Sequence, residues 1–220
     1  MDVMMTVVRF FQNGGPFMVP IAIVLALGVA IALERYIYLA RVLHANRRDY
    51  RRMTPMLVKG EVPELIREAQ KTKSAVGRVY REGLARMQTS RRRQDVEYAL
   101  EEGLLEALPS IERRTPYLAT FANIATLLGL LGTIIGLIAA FTAVANADPA
   151  EKATLLSQSI SIAMNTTAFG LMAAIPLLLV HAHLQGKTRE IVEGLDIAMV
   201  KFLNFMERGA TERAVEVKAG

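Results

Sequence analysis

Residues 115–147 read TPYLATFANIATLLGLLGTIIGLIAAFTAVANA, thirty-three consecutive positions without an Asp, Glu, Lys or Arg. About 20 apolar residues carry a helix across the hydrocarbon core of a bilayer, and this stretch exceeds that length. Residues 10–33 and 153–180 share the property. The chain of 220 residues holds 26 Lys/Arg and 21 Asp/Glu, all of them outside these three runs. A soluble domain seldom keeps its ionisable groups out of runs that long, so the pattern excludes a soluble globular enzyme. With no Cys and 52% hydrophobic residues, a disulfide-rich or disordered chain is excluded as well. The expected fold class is an all-α integral membrane protein, with three transmembrane helices and a cytoplasmic helical bundle.

The run at 10–33 is read as a retained span and not as a cleaved signal peptide. The residues before it, Met1 to Gln12, include Asp2 and Arg9 yet are largely apolar; the flank after it is strongly basic, and no Ala-x-Ala site precedes a polar sequence. Residues 1–16 are expected to lie amphipathically at the interface, with Gly14-Gly15-Pro16 breaking the chain before a first transmembrane helix at 17–39. The second is expected at 116–145 and the third at 153–183, joined by the short turn 146–152. In that turn Asp148 suits an N-cap, Pro149 the first helical position and Glu151 the far side of a capping box.

Positive charge sets the orientation. Segment 41–114 carries 17 Lys/Arg against 11 Asp/Glu, with Arg35, Arg41, Arg47, Arg48, Arg113 and Arg114 nearest the membrane ends. By the positive-inside rule the 40–115 region and the 184–220 tail are cytoplasmic, and the N-terminus and the 146–152 turn are periplasmic. The net charge of +5 then reflects topology and contact with membrane lipids. A nucleic-acid partner is not expected: Arg91-Arg92-Arg93 is short, lacks interleaved aromatics and is followed directly by Asp95, Glu97, Glu101 and Glu102.

Residues 40–115 read as helical, with breaks at Thr54-Pro55, from Lys59-Gly60 to Pro63, and around Thr89-Ser90. From Arg91 onward Val96, Leu100, Leu104, Leu105, Leu108 and Ile111 form an apolar stripe at helical period. It runs towards the second span with only Pro109 and Pro116 to bend it, so one long helix is expected. In the tail Ile191, Leu195, Ala198, Met199, Phe202, Phe205 and Met206 repeat the pattern, and the two stripes are expected to pack on one another.

No nucleophile–base pair, phosphate-binding glycine loop or metal-ligand spacing appears, so no catalytic residue, metal or cofactor is expected. His181 and His183 suit an interfacial position, and Glu34-Arg35 suits the headgroup region. What the second and third spans do contain is uncharged and polar. The second has Thr120, Asn123, Thr126, Thr133 and Thr142 with Gly129, Gly132 and Gly136; the third has Ser157, Ser161, Asn165, Thr166, Thr167 and Gly170. Close helix packing accounts for the glycines and part of the hydroxyls. It accounts poorly for Asn165, whose amide near mid-bilayer needs a partner helix, a polar cavity or water. Pro176 frees a carbonyl farther along the same helix, where a kink is expected.

Leu128-Gly-Leu-Leu-Gly-Thr-Ile-Ile-Gly-Leu137 and Thr167-Ala-Phe-Gly-Leu-Met-Ala-Ala-Ile-Pro176 resemble the second-span and third-span signatures of the MotA/TolQ/ExbB family. The three-span layout, the large segment between spans one and two, Glu34-Arg35 and the short outer turn extend the resemblance over nearly the whole chain. The resemblance implies a stator-type ion-channel subunit of an energy-transducing complex in the bacterial inner membrane. It implies a homopentamer around ExbD/TolR/MotB-like single-span partners, each bringing a membrane aspartate that accepts the ion. Thr133 and Thr167 would sit beside that aspartate, with Asn165 and Thr166 as further polar groups on the ion pathway. Gly129, Gly132, Gly136, Gly170 and Pro176 would shape the helix packing. Two positions depart from the pattern of the TolQ/ExbB branch: Ile162 stands where a glutamate is usual, and Thr126 where a proline is usual. The first leaves the subunit without its own proton-relay carboxylate, and extra oxygen ligands also suit Na⁺. The long cytoplasmic insertion of a flagellar torque generator is absent, which places the resemblance on the TolQ/ExbB side. The competing reading is a non-conducting oligomeric scaffold that anchors a cytoplasmic partner.

Overall fold

The computed structural model describes Phe10 and residues 14–90, 92–145 and 147–219, with side chains described as far as Arg208. Apart from Phe10 and residues 14–16, the expected interfacial segment 1–16 lies outside the described residues, as do Arg91 and Asn146. The described residues form six named helices and no strand: α1 Met18–Lys59, α2 Val62–Lys71, α3 Ala75–Thr89, α4 Arg93–Glu112, α5 Thr115–Ala145 and α6 Lys152–Ala219. Three stretches, Met18–Lys59, Arg93–Ala145 and Lys152–Arg208, contain helix long and apolar enough to cross a membrane, by length and composition. This is an all-helical membrane protein.

The chain divides into two compact units. The first comprises Met1–Arg35 and Arg114–His183, the second Tyr36–Arg113 and Leu184–Gly220. In the first unit small residues fill the interior: Ala122, Ala125, Ala140, Ala163, Ala173 and Ala174 are buried beside Ile21, Leu118 and Leu177. The large apolar side chains point outward instead. Leu127, Ile138 and Phe141 on α5, and Met164, Met172 and Leu179 on α6, are each more than half exposed. A water-soluble protein would bury these; a lipid-facing surface exposes them. Gly15, at a φ of 71°, supplies the left-handed turn that lets α1 start at Met18.

The second unit packs in the opposite sense, with large side chains inside. Leu39, Met53, Leu57, Leu65, Val79, Tyr80, Leu100, Ile111, Leu195 and Phe202 are nearly fully buried. Helices α3 and α4 approach closely through Gly83, against the Leu100 side chain, and Gly103, against the Val79 backbone. The α4 seam thus runs Val96, Ala99, Leu100, Gly103, Ala107 and Ile111, while Leu105 is 63% exposed. Ion pairs tie neighbouring helices at the surface: Arg47 to Glu190, Arg93 to Glu207, and Arg52 to Glu68 at 3.2 Å. Such exposed pairs add little stability each.

Three breaks differ from the sequence expectation. Helix α1 continues through Thr54-Pro55 to Lys59. It ends where Gly60 takes a φ of 75°, with Gly60 N–H donating to the Leu57 carbonyl at 3.2 Å and Glu61 N–H to that of Met56 at 2.9 Å. That is a Schellman ending, which glycine favours because it carries no Cβ. A further break, unmarked by Gly or Pro, falls at Thr72–Ser74, where the Ser74 hydroxyl caps α3 by accepting from Gly77 N–H at 3.1 Å. Most consequential, no single helix runs through 93–145. Pro109 lies inside α4, and the break falls at Arg113–Arg114, with Arg114 at a φ of 67°. A left-handed arginine costs about 1–2 kcal/mol. The Arg114 side chain is held to the Glu34 carboxylate at 3.2 Å, and Arg35, buried, donates from Nε to the Thr115 hydroxyl at 3.4 Å.

Candidate functional site: the polar seam of two apolar helices

Helices α5 and α6 meet along their small residues. A Cβ placed on Gly170 would lie 2.7 Å from the Ala125 carbonyl oxygen and 3.1 Å from Gly129 Cα. One on Gly129 would lie 3.2 Å from Thr167 Cα, one on Gly136 2.9 Å from the Ala163 side chain, and one on Gly132 would collide with the Thr166 side chain. The antiparallel register therefore sets Gly129 against Thr167 and Gly170, Gly132 against Thr166, and Gly136 against Ala163. Only hydrogen in place of a side chain permits this approach. Pro176 lies within the continuous α6. Near it Leu177 fills the space beside Gly28 of α1, a contact flagged in the sequence only by one glycine in an aliphatic run.

The polar residues divide by what their hydroxyl protons do. Thr167 Oγ1 donates across the helix interface to the Gly129 carbonyl at 2.8 Å. Thr133 is half-buried and donates to the Leu130 carbonyl of its own helix at 2.6 Å. Thr166 is buried, with Oγ1 2.6 Å from the Gly14 carbonyl and 3.0 Å from that of Ile162, one proton between two acceptors. Sequence reasoning missed the bond to Gly14, because nothing in the spacing ties residue 14 to residue 166. Each of these hydroxyls commits its proton to backbone, which leaves its oxygen to act as an acceptor. Asn165 is half-buried and makes no hydrogen bond among the described residues. Asn123, Ser157 and Ser161 are exposed on the same two helices. Ile162, at the position where a carboxylate was noted as usual, packs its Cγ2 towards the Gly15 turn.

The seam carries no charge of its own. The stretches 115–147 and 153–180 hold no ionisable carboxylate or amine. Among the described residues no group of three or more His, Cys, Asp or Glu is placed to hold a metal. His181 is half-buried and His183 exposed, both beyond the glycine seam. The expected capping box at the turn does not form. Helix α6 starts at Lys152, and it is the Asp148 carbonyl that accepts, from Glu151 N–H at 2.9 Å and Lys152 N–H at 3.2 Å.

Residues 71–197 match the MotA/TolQ/ExbB proton channel family, more than half of the chain and the whole of the seam. An ExbB homolog from Methanothermobacter thermautotrophicus is 29% identical over 201 residues, covering 87% of this chain and 67% of that protein. The Tol-Pal system protein TolQ of Haemophilus influenzae is 30% identical over 116 residues, 53% of this chain and 50% of its own length. TolQ of Pseudomonas aeruginosa is 27% identical over 128 residues, with 54% of this chain and 55% of its own length covered. The chain thus spans about half the length of the TolQ relatives and two thirds of the archaeal one. It belongs to the MotA/TolQ/ExbB proton channel family, on its TolQ/ExbB-like side.

Proposed function

We propose that this chain forms the channel wall of a stator-type complex in the bacterial inner membrane, coupling the proton motive force to mechanical work on an envelope or transport partner. Residues 17–39, 116–145 and 153–183 cross the bilayer, with the N-terminus and the 146–152 turn periplasmic. The 40–115 region and the 184–220 tail form a cytoplasmic helical bundle. Five copies surround ExbD/TolR-like single-span partners, whose membrane aspartate carries the ion.

One observation carries this reading. The α5–α6 seam holds Thr133, Asn165, Thr166 and Thr167, with the three hydroxyl protons tied to carbonyls and no carboxylate in either charge-free run. Acceptor oxygens bind a protonated aspartic acid, which has a hydrogen to give, better than an aspartate, which has none. That preference raises the partner's pKa as it passes the seam, and the rise is lost when it moves away. An ion site whose charge comes from another chain explains why this chain keeps polar groups but no charge there. Proton is the favoured ion; Na⁺, which the same oxygens suit, is separated by assaying flux in sodium-free buffer.

The bond from Thr167 to Gly129 also favours a second reading, a scaffold in which the hydroxyls only fasten helices. Thr133→Val tests between them, because Thr133 bonds within its own helix and its loss leaves the interface intact. The channel reading predicts assembled complexes with activity reduced at least roughly tenfold, about 1.4 kcal/mol. Assembled complexes of full activity support the scaffold.

A further inference from the structure

The second unit contains a cavity of about 490 Å³ that the channel reading does not use. Its walls come from α1 (Tyr38, Arg41, Asn46, Arg48, Asp49), the Thr72–Ser74 break, the start of α3 (Ala75, Arg78) and the end of α4 (Ala107, Ser110, Ile111). Four cations, Arg41, Arg48, Lys73 and Arg78, face one carboxylate, Asp49. That carboxylate is already occupied: Asp49 accepts from the Thr72 hydroxyl and, at 3.0 Å, from Arg48 Nε. Arg41 and Lys73 are exposed and form no ion pair among the described residues. The N-terminus of the 15-residue α3 opens on the same space and adds its positive end. Its first amides are spent, Val76 N–H on Asn46 Oδ1 at 3.3 Å and Gly77 N–H on Ser74, so it contributes field and not donors. Asn46 is 6% exposed and forms part of the cavity floor, where its Oδ1 holds the start of α3.

We infer that this cavity binds a phosphate group, held by Arg41, Lys73 and Arg78 in the positive field of the α3 N-terminus. Tyr38 and Arg41 stand at the end of the proposed 17–39 span, and Ile111 shortly precedes the proposed 116–145 span. The cavity thus sits at headgroup depth on the cytoplasmic side, where anionic lipid is concentrated. An anionic phospholipid headgroup and free phosphate offer the same chemistry, and the test separates them.

The full-length protein, in a zwitterionic detergent, is titrated with phosphatidylglycerol, phosphatidylcholine and inorganic phosphate. Bound species are counted by native mass spectrometry. The wild type is compared with Arg41→Gln/Lys73→Gln and with a charge-matched control outside the cavity, Arg51→Gln/Arg67→Gln. All four side chains are solvent-accessible, so folding is preserved. The expected result is a saturable site at which the cavity variant loses roughly tenfold or more in affinity while the control stays near wild type. Preference for phosphatidylglycerol over phosphatidylcholine identifies the headgroup. Saturable binding of inorganic phosphate alone, with the same dependence on Arg41 and Lys73, supports the site with a free-phosphate ligand. Equal losses in both double variants, or no saturable binding of either probe, overturn the inference.

Discussion

At the residue scale, two side chains of the second unit yield direct predictions. Tyr80 is fully buried against Phe202, at 5.8 Å between ring centroids, and its hydroxyl lies near that of Thr54 without a well-formed hydrogen bond to it. Burial pushes the phenol pKa up to about 12. Removing a buried hydroxyl whose contact with Thr54 is poorly formed relieves its desolvation cost, so Tyr80→Phe is expected to leave stability unchanged or raise it by about 1 kcal/mol. Thermal melts of the detergent-solubilised protein check this; a drop of several degrees would show that the hydroxyl is bonded in solution.

Asp49 behaves in the opposite way. Burial raises its pKa, but hydrogen bonds from Thr72, Arg48 and Ser74 and the charge of Arg48 outweigh that and hold it below the ordinary 3.8. A carboxyl with a depressed native pKa stabilises the fold above its unfolded value, and that contribution fades as pH falls from there through the native value. Asp49→Asn is therefore expected to be less stable near neutrality, with a shallower loss of stability below pH of about 4. Melting curves at a series of pH values decide it, and parallel profiles for the two proteins would count against the assignment.

At the scale of the element, the glycines of α6 predict opposite outcomes. Gly170 faces backbone, Ala125 O at 2.7 Å, so Gly170→Ala must push α5 and α6 apart. A cost of about 1–3 kcal/mol is expected. Gly186 has nothing within 4 Å of an added Cβ, so Gly186→Ala is expected to gain up to about 1 kcal/mol of helix propensity. Matched melting temperatures for the two variants would contradict the close packing of the seam.

How the elements were legible follows from the same physics. Charge-free runs long enough to span a bilayer stand out because ionisable groups are costly in lipid. The glycines and threonines of the seam fall in register on consecutive helices, so the paired stripe was visible. The break at Arg113–Arg114 was not, because its left-handed residue is an arginine held by Glu34, a partner 80 positions away in sequence. One proline was misleading: Pro55, read as a break, lies inside α1. The α4 seam was half-read because large leucines draw the eye, whereas the small residues Ala99, Gly103 and Ala107 are buried there as well. Which carbonyl each hydroxyl bonds, and hence their acceptor character, required coordinates.

At the scale of the whole molecule, the first unit has small residues inside and large apolar ones outside, and the second the reverse. That inversion marks two solvents along one chain. Within the first unit the α5–α6 seam keeps polarity without charge, and the ion site proposed there is completed by another subunit's carboxylate. The most direct test is proton flux in proteoliposomes holding this chain co-purified with a single-span partner that carries a membrane aspartate. Flux driven by an imposed pH gradient in sodium-free buffer is measured for the wild type, for Thr133→Val, and for the partner's aspartate changed to Asn. The account predicts flux in the wild type, at least roughly tenfold less with Thr133→Val, and none above empty vesicles with the partner variant, while all three complexes assemble alike. Wild-type flux that survives loss of the partner's aspartate, or no flux from a well-assembled wild-type complex, would contradict it.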